Sequence, residues 1–293
     1  MDVEVALDAH AIIGESPTWS AAEHALYWVD IKKPALYRYN PRLGSCQSWM
    51  LSSDVGAFAL IDSKSAIVAL RYGMHRLDLT TGALELLAPP PFDPSLFRFN
   101  EGLCDHTGRF WVGVMFDPLQ GSPPRRRAPL HSFTLGGGLR REQDEAELHN
   151  GMALSEDGKR FYLAHSYEGS IYVFGFDGTI GSLGPRELFA HIPKSLGLPD
   201  GAAVDAEGCY WCAVHGGGRL YRYTREGKVE REVMLPVSQP TMCAFGDDDL
   251  ATLYVTSASD GLSAAQRNAE PLAGALFRLR PGVKGIARPH TVS

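Results

Sequence analysis

The chain has 293 residues, of which 44% are hydrophobic and 21% charged, with a formal net charge of −6. That size suits one large hydrophobic core or two small ones, and the negative charge sets nucleic acid and anionic membrane surfaces aside as partners. The longest apolar runs, such as residues 57–61 and 66–70, are too short to cross a bilayer. At the N-terminus, Met1-Asp2-Val3-Glu4 lacks the basic and apolar regions of a signal peptide, so a cytoplasmic location is expected.

Residues 3–7 read as a strand lying ahead of a repeat. An aromatic or aliphatic pair then recurs at Tyr27-Trp28, Ile67-Val68, Phe110-Trp111, Phe161-Tyr162, Tyr210-Trp211 and Leu253-Tyr254, at spacings of 40, 43, 51, 49 and 43 residues. Polar turns precede several copies, as in Asp105-His106-Thr107-Gly108 and Asp205-Ala206-Glu207-Gly208. After each pair comes a second phrase of the type Leu36-Tyr37-Arg38-Tyr39 or Leu220-Tyr221-Arg222-Tyr223. The elements are short, rich in β-branched and aromatic residues, and divided by Gly, Pro, Asn and Asp, which signals strands and turns.

Residues 117–129 break the rhythm with four prolines and three consecutive arginines, so they are expected to form a long loop and no strand. The loop is either a solvated insertion or a lid that draws in an anionic or polyhydroxy ligand. The fifth copy shows the unit whole, with strands predicted at 202–204, 210–213, 219–223 and 229–233. Six such four-stranded units predict an all-β, six-bladed β-propeller occupying residues 1–293 as one domain. Pairing of the chain ends, residues 3–7 with 287–292, is expected to close the ring. The five scattered cysteines are expected to be reduced and mostly buried. Cys209 and Cys212 have redox-motif spacing, but on a strand their thiols face opposite ways.

Counting back from each pair reaches the residue that opens the innermost strand. Glu15 precedes Tyr27 by 12, Asn100 precedes Phe110 by 10, Asn150 precedes Phe161 by 11 and Asp200 precedes Tyr210 by 10. Blades 2 and 6 place Gly56 and Thr241 there, at offsets of 11 and 12. Inner strands of a propeller line its channel, so these positions form a ring of carboxylate and amide oxygens suited to a hard divalent ion such as Ca²⁺, Mg²⁺ or Mn²⁺. Asn-Gly and Asp-Gly are also common turn pairs, but four in register across separate repeats favour the ring. His149, His165 and His215 lie near strand ends, and each is more simply a satisfied structural histidine. No nucleophile elbow, zinc-protease motif or nucleotide-binding loop is present.

With Gly14-Glu15-Ser16-Pro17-Thr18-Trp19, Tyr27-Trp28-Val29-Asp30-Ile31, Arg98-Phe99-Asn100-Glu101-Gly102, Asn150-Gly151-Met152-Ala153 and Pro199-Asp200-Gly201, the chain resembles the SMP-30/gluconolactonase/regucalcin-like propellers. The resemblance implies metal ligation by Glu15, Asn150 and Asp200, and substrate contact by Arg98 and Asn100. Glu101 stands beside these where Asp is usual and is counted with the substrate-binding residues. Two further departures are Asp117-Pro118 in place of an acidic pair, and His165 where an Asp is common.

The function this implies is hydrolysis of a sugar lactone, such as gluconolactone, xylonolactone or arabinonolactone, to its acid. One divalent cation is the expected cofactor, Ca²⁺ first, with Zn²⁺, Mg²⁺, Mn²⁺ or Fe²⁺ as alternatives. Asp200 is the candidate catalytic base. The rival readings are a metal-dependent hydrolase of another ester (phosphotriesterase-like), a non-catalytic calcium-binding regulator and a protein-binding scaffold. The expected partner is a small-molecule lactone, with no nucleic acid and no membrane.

Overall fold

Strands of four to ten residues, broken by tight turns, account for nearly all of the regular structure in a computed structural model that describes residues 2–287. They form six sheets of four antiparallel strands, a six-bladed β-propeller. The inner strands are Gly14–Ser20, Val55–Asp62, Phe97–Cys104, His149–Leu154, Leu198–Val204 and Pro240–Gly246, one per blade, and neighbouring inner strands pack side by side around the axis.

The recurring phrases fall on equivalent places. Each aromatic pair lies in the second strand of its blade, and the polar turns close the hairpin before it. Gly108 and Gly208 donate backbone N–H to Asp105 O at 3.1 Å and Asp205 O at 2.9 Å. Trp111 Nε1 donates to Asp105 Oδ2 at 2.9 Å, and Trp211 Nε1 to Asp205 Oδ2 at 2.8 Å. Each turn aspartate thus satisfies the indole that would otherwise bury an unpaired donor. All four predicted strands of blade 5 are present, extended at their ends to Leu198–Val204, Tyr210–His215, Arg219–Tyr223 and Val229–Met234.

The core is divided, not central. Six apolar clusters of buried residues each join one blade to the next, as Tyr27 meets Phe58 between blades 1 and 2 and Trp111 meets Phe161 between blades 3 and 4. Alternation along a strand gives each sheet two apolar faces, and each face is buried against the neighbouring sheet. The channel is left free for polar groups.

The N-terminal strand Glu4–Leu7 closes the ring, but its partner is Leu276–Leu279. Blade 6 therefore takes three strands from the C-terminal part of the chain and one from the N-terminus. The expected closing strand at 287–292 is corrected in this respect: Ala287 is not in a strand, and residues 288–292 lie outside the described residues. The predicted loop is also shorter, because a strand begins at Ala128 and contains Pro129. The second strand of blade 3 pairs with this one only as far as Val112↔His131, so the missing N–H at Pro129 removes no ladder bond on that side. All five cysteines are free thiols, four of them buried.

Candidate site in the central channel

In every blade the ladder between the first and second strands slips at the ring position. The shifts fall between Glu15 and Thr18, Val55 and Ala57, Asn100 and Gly102, Asn150 and Ala153, Pro199 and Ala202, and Pro240 and Cys243. Bulges re-aim side chains, and the six slips all fall at the ring position of their blade. Ser16, Glu101 and Gly151 take left-handed φ values of 54°, 42° and 62° there. Glycine is required at 151, where an added Cβ would stand 2.5 Å from Tyr210 Oη.

Blades 2 and 6 contribute no free oxygen to the ring, for different reasons. At Gly56 a Cβ would lie 2.1 Å from Phe99 O, so the neighbouring backbone occupies the space a side chain would need. Thr241 Oγ1 donates to Gly14 O at 2.5 Å and is bonded to Thr256 Oγ1 at 2.9 Å.

The remaining ring residues are all buried. Asn100 and Asn150 meet directly: Asn100 Nδ2 donates to Asn150 Oδ1 at 2.6 Å and to His149 O at 2.9 Å. Asn150 Nδ2 donates to Ser166 Oγ at 2.9 Å, which fixes the amide so that its oxygen is the group that meets Asn100. Glu15 Oε2 accepts the Ser16 N–H at 2.8 Å. Burial raises the Glu15 carboxyl above its ordinary range, partly offset by the Ser16 N–H and the Arg98 charge. The Asp200 carboxyl is raised as well, by burial first and then by the negative charges of Glu15 and Glu101. Two buried carboxylates, one of them raised further by the charge of the other, form a site in want of positive charge.

Arg98 is held from both sides. Its Nη1 donates to Asn100 Oδ1 at 2.7 Å and its Nε to Asp117 Oδ2 at 3.1 Å. Asp117 Oδ2 also accepts from Lys32 Nζ at 3.0 Å and Arg71 Nη2 at 2.5 Å, and Asp54 Oδ2 accepts from the same two cations at 2.9 and 2.8 Å. Burial opposes ionisation of Asp117, but Arg98, Lys32 and Arg71 hold it below the usual carboxylate range. Three cations against two carboxylates leave one positive charge in surplus beside the ring. Asp117, a departure in the sequence reading, is the counter-ion that orients Arg98. Lys32, Asp54 and Arg71 carry no motif, which is why the sequence did not single them out.

Glu101 differs from its ring neighbours. Its Oε2 and Oε1 accept the backbone N–H groups of Gly151 at 2.7 Å and Met152 at 2.6 Å. Both oxygens are therefore engaged in holding the bulge that presents Asn150. The loop after Phe116 is tied down as well: Arg125 lies over the Tyr167 ring, 3.7 Å from its centroid, and Arg127 Nη1 donates to Glu168 Oε1 at 2.7 Å. An apolar cavity lined by residues such as Ala153, Leu154, Val204 and Phe245 sits at the opposite ends of the inner strands, away from the paired carboxylates.

The sequence model of the SMP-30/gluconolactonase/LRE-like family matches residues 13–259. A 6-deoxy-6-sulfogluconolactonase of Pseudomonas putida is 38% identical over 283 residues, covering 95% of this chain and 94% of that protein. Regucalcin of Gallus gallus is 32% identical, with 94% and 93% covered. Among solved structures, a regucalcin from Agrobacterium tumefaciens described as a calcium-binding protein superposes with a TM-score of 0.89 at 25% identity, covering 98% of this chain and 96% of that one.

Proposed function

The chain belongs to the SMP-30/gluconolactonase/LRE-like family, and on that premise we propose that it is a lactonase, a carboxylic-ester hydrolase that opens a sugar lactone to its acid with one divalent cation held by Glu15, Asn150 and Asp200. The observation that carries the reading is the pair of buried carboxylates, Glu15 and Asp200, both raised in pKa and borne on inner strands equivalent to the one that carries Asn150. Two carboxylates and one amide oxygen are hard donors that suit Ca²⁺ first, and a bound cation offsets the burial that raises both acids. When bound, such an ion supplies charge stabilisation to the reacting carbonyl and acidifies water.

The chain's own residues do the rest. Asp200 takes the proton of the attacking water at its carboxylate and returns it to the departing ring oxygen. Arg98, braced by Asp117, and Asn100, braced by Asn150, orient the lactone. Glu101 positions rather than binds, through the two N–H groups it accepts. Lys32 and Arg125 add positive charge on the Arg98 side of the site. That suits a lactone with an anionic group remote from the ring carbonyl, as in the sulfo-substituted lactone of the Pseudomonas putida relative's name.

Acid release, followed with a pH indicator across neutral and anionic sugar lactones and several divalent ions, tests the reading. Turnover should vanish with chelator, return with metal and fall by about 10²-fold or more in Asp200→Asn, the scale of general-base loss. Absence of acid release from every lactone with every ion would sink it.

A further inference from the structure

One buried cluster is absorbed by neither the ring nor the lactone-orienting residues. Asp144 comes from the outer strand of blade 3 (Gly138–Ala146), His149 opens the inner strand of blade 4 (His149–Leu154), and His165 ends its neighbour (Arg160–His165). The two histidines are cross-strand partners, with ring centroids 5.8 Å apart and planes at 88°. Their Nε2 atoms address the same oxygen: Asp144 Oδ2 lies 2.7 Å from His165 Nε2 and 3.3 Å from His149 Nε2.

Each of the three is held from behind. His149 Nδ1 is 3.2 Å from both Val114 O and Val114 N, His165 Nδ1 faces Glu168 Oε2 at 3.4 Å as an ion-pair contact without hydrogen-bond geometry, and Asp144 Oδ1 accepts from Arg186 Nη1 at 3.2 Å. An imidazole backed by a carbonyl or carboxylate at one nitrogen has its other nitrogen fixed for ligation. Hydrogen bonding inside the cluster leaves it incomplete. His149 Nε2, on a side chain with no exposure, is out of line for a hydrogen bond to Asp144 and has no other partner. An orphaned buried nitrogen is destabilising unless a partner satisfies it.

We propose that Asp144, His149 and His165 form a second metal site, separate from the channel ring, that takes a borderline transition-metal ion of the Zn²⁺ class. Two imidazoles and one carboxylate are the donor types such ions prefer, whereas the oxygen-only ring suits a hard ion. Ligand atoms about 2.0–2.1 Å from one tetrahedral ion stand about 3.3 Å apart. The observed separations from Asp144 Oδ2 are 2.7 and 3.3 Å, and the three ligand atoms all lie within 4.8 Å of one another. Asp144 lines a cleft of about 420 Å³ with Gln143, Arg127 and Arg186, a route for entry and room for a fourth ligand such as water. An ion there fastens the last strand of blade 3 to the residue before Asn150.

The test reads metal uptake, not turnover, so it stands or falls apart from the lactonase reading. Chelator-stripped Glu15→Gln/Asp200→Asn protein, its channel carboxylates neutralised, is titrated with Co²⁺ and followed by visible absorption and equilibrium dialysis, with Zn²⁺ as competitor. One ion per chain is expected, with intense tetrahedral-type bands that Zn²⁺ abolishes. Adding His165→Gln or Asp144→Asn should lower affinity by at least about 100-fold. Glu168→Gln, which weakens the support behind His165 and leaves all three ligands in place, should lower it by about 10–100-fold. No uptake by the channel-neutral protein overturns the proposal, as does uptake that all three further substitutions leave unchanged. The Glu168→Gln arm keeps the question decided if a cluster variant fails to fold.

Discussion

Glu15 is the residue at which burial and function conflict most openly. Burial lifts its carboxyl from an ordinary 4.5 to about 7 in the ion-free protein. The folded state then keeps a proton that the unfolded chain has released, so stability declines as pH climbs through that window. Asp200 is raised as well and acts in the same direction. Urea midpoints measured in chelator from pH 4.5 to 7 should therefore fall for the native chain and fall less for Glu15→Gln. Added Ca²⁺ should reverse the decline in the native chain only. An identical slope in the variant would mean that Glu15 is not the group being titrated.

At the scale of the element, the inner strand of blade 4 shows how a site is held by groups outside it. Its bulge at Gly151 is fixed by the Glu101 carboxylate across the blade boundary and by Tyr210 Oη, which donates to Gly151 O at 2.8 Å. Glu101→Ala leaves two buried N–H groups without their acceptor, at about 1–3 kcal/mol each. Thermal or urea unfolding should register that loss, and Glu101→Gln, which keeps one acceptor oxygen, should show roughly half of it. Gly151→Ala adds left-handed strain and a contact with Tyr210 Oη, so it should lower lactone turnover more than Glu101→Gln does. Equal stability of Glu101→Ala and the native chain would remove the bulge from the account of the site.

For the whole molecule, the ring closes through one short strand. Glu4–Leu7 pairs with Leu276–Leu279, Tyr39 Oη donates to Ala6 O at 2.8 Å, and Glu4 meets Arg278 at 3.0 Å. Deletion of residues 1–8 uncovers the outer edge of blade 6 and opens the circle, and an open edge invites pairing with other chains. The expected result is a melting temperature lower by several degrees and concentration-dependent association in sedimentation velocity. A truncated chain that melts and sediments like the full one would show that the circle holds without this strand.

The sequence by itself determined the strand count and the six-fold repeat. Each of these rests on local chemistry: alternation, turn residues and a phrase repeated at near-constant spacing. It also placed Glu15, Asn100, Asn150 and Asp200 on equivalent strands, because a repeat fixes equivalence without any knowledge of distance. Only the tertiary structure decided what the rest do. Glu101 gives its oxygens to the next blade's backbone, Asp117 gathers Lys32, Arg71 and Arg98, and Asp144 meets two histidines of another sheet. These are contacts between blades, made by residues far apart in the chain and bound to no spacing. The same reason separates the true closing partner at Leu276–Leu279 from the one read off the chain end, since strand pairing across the ring depends on where the blades finish in space.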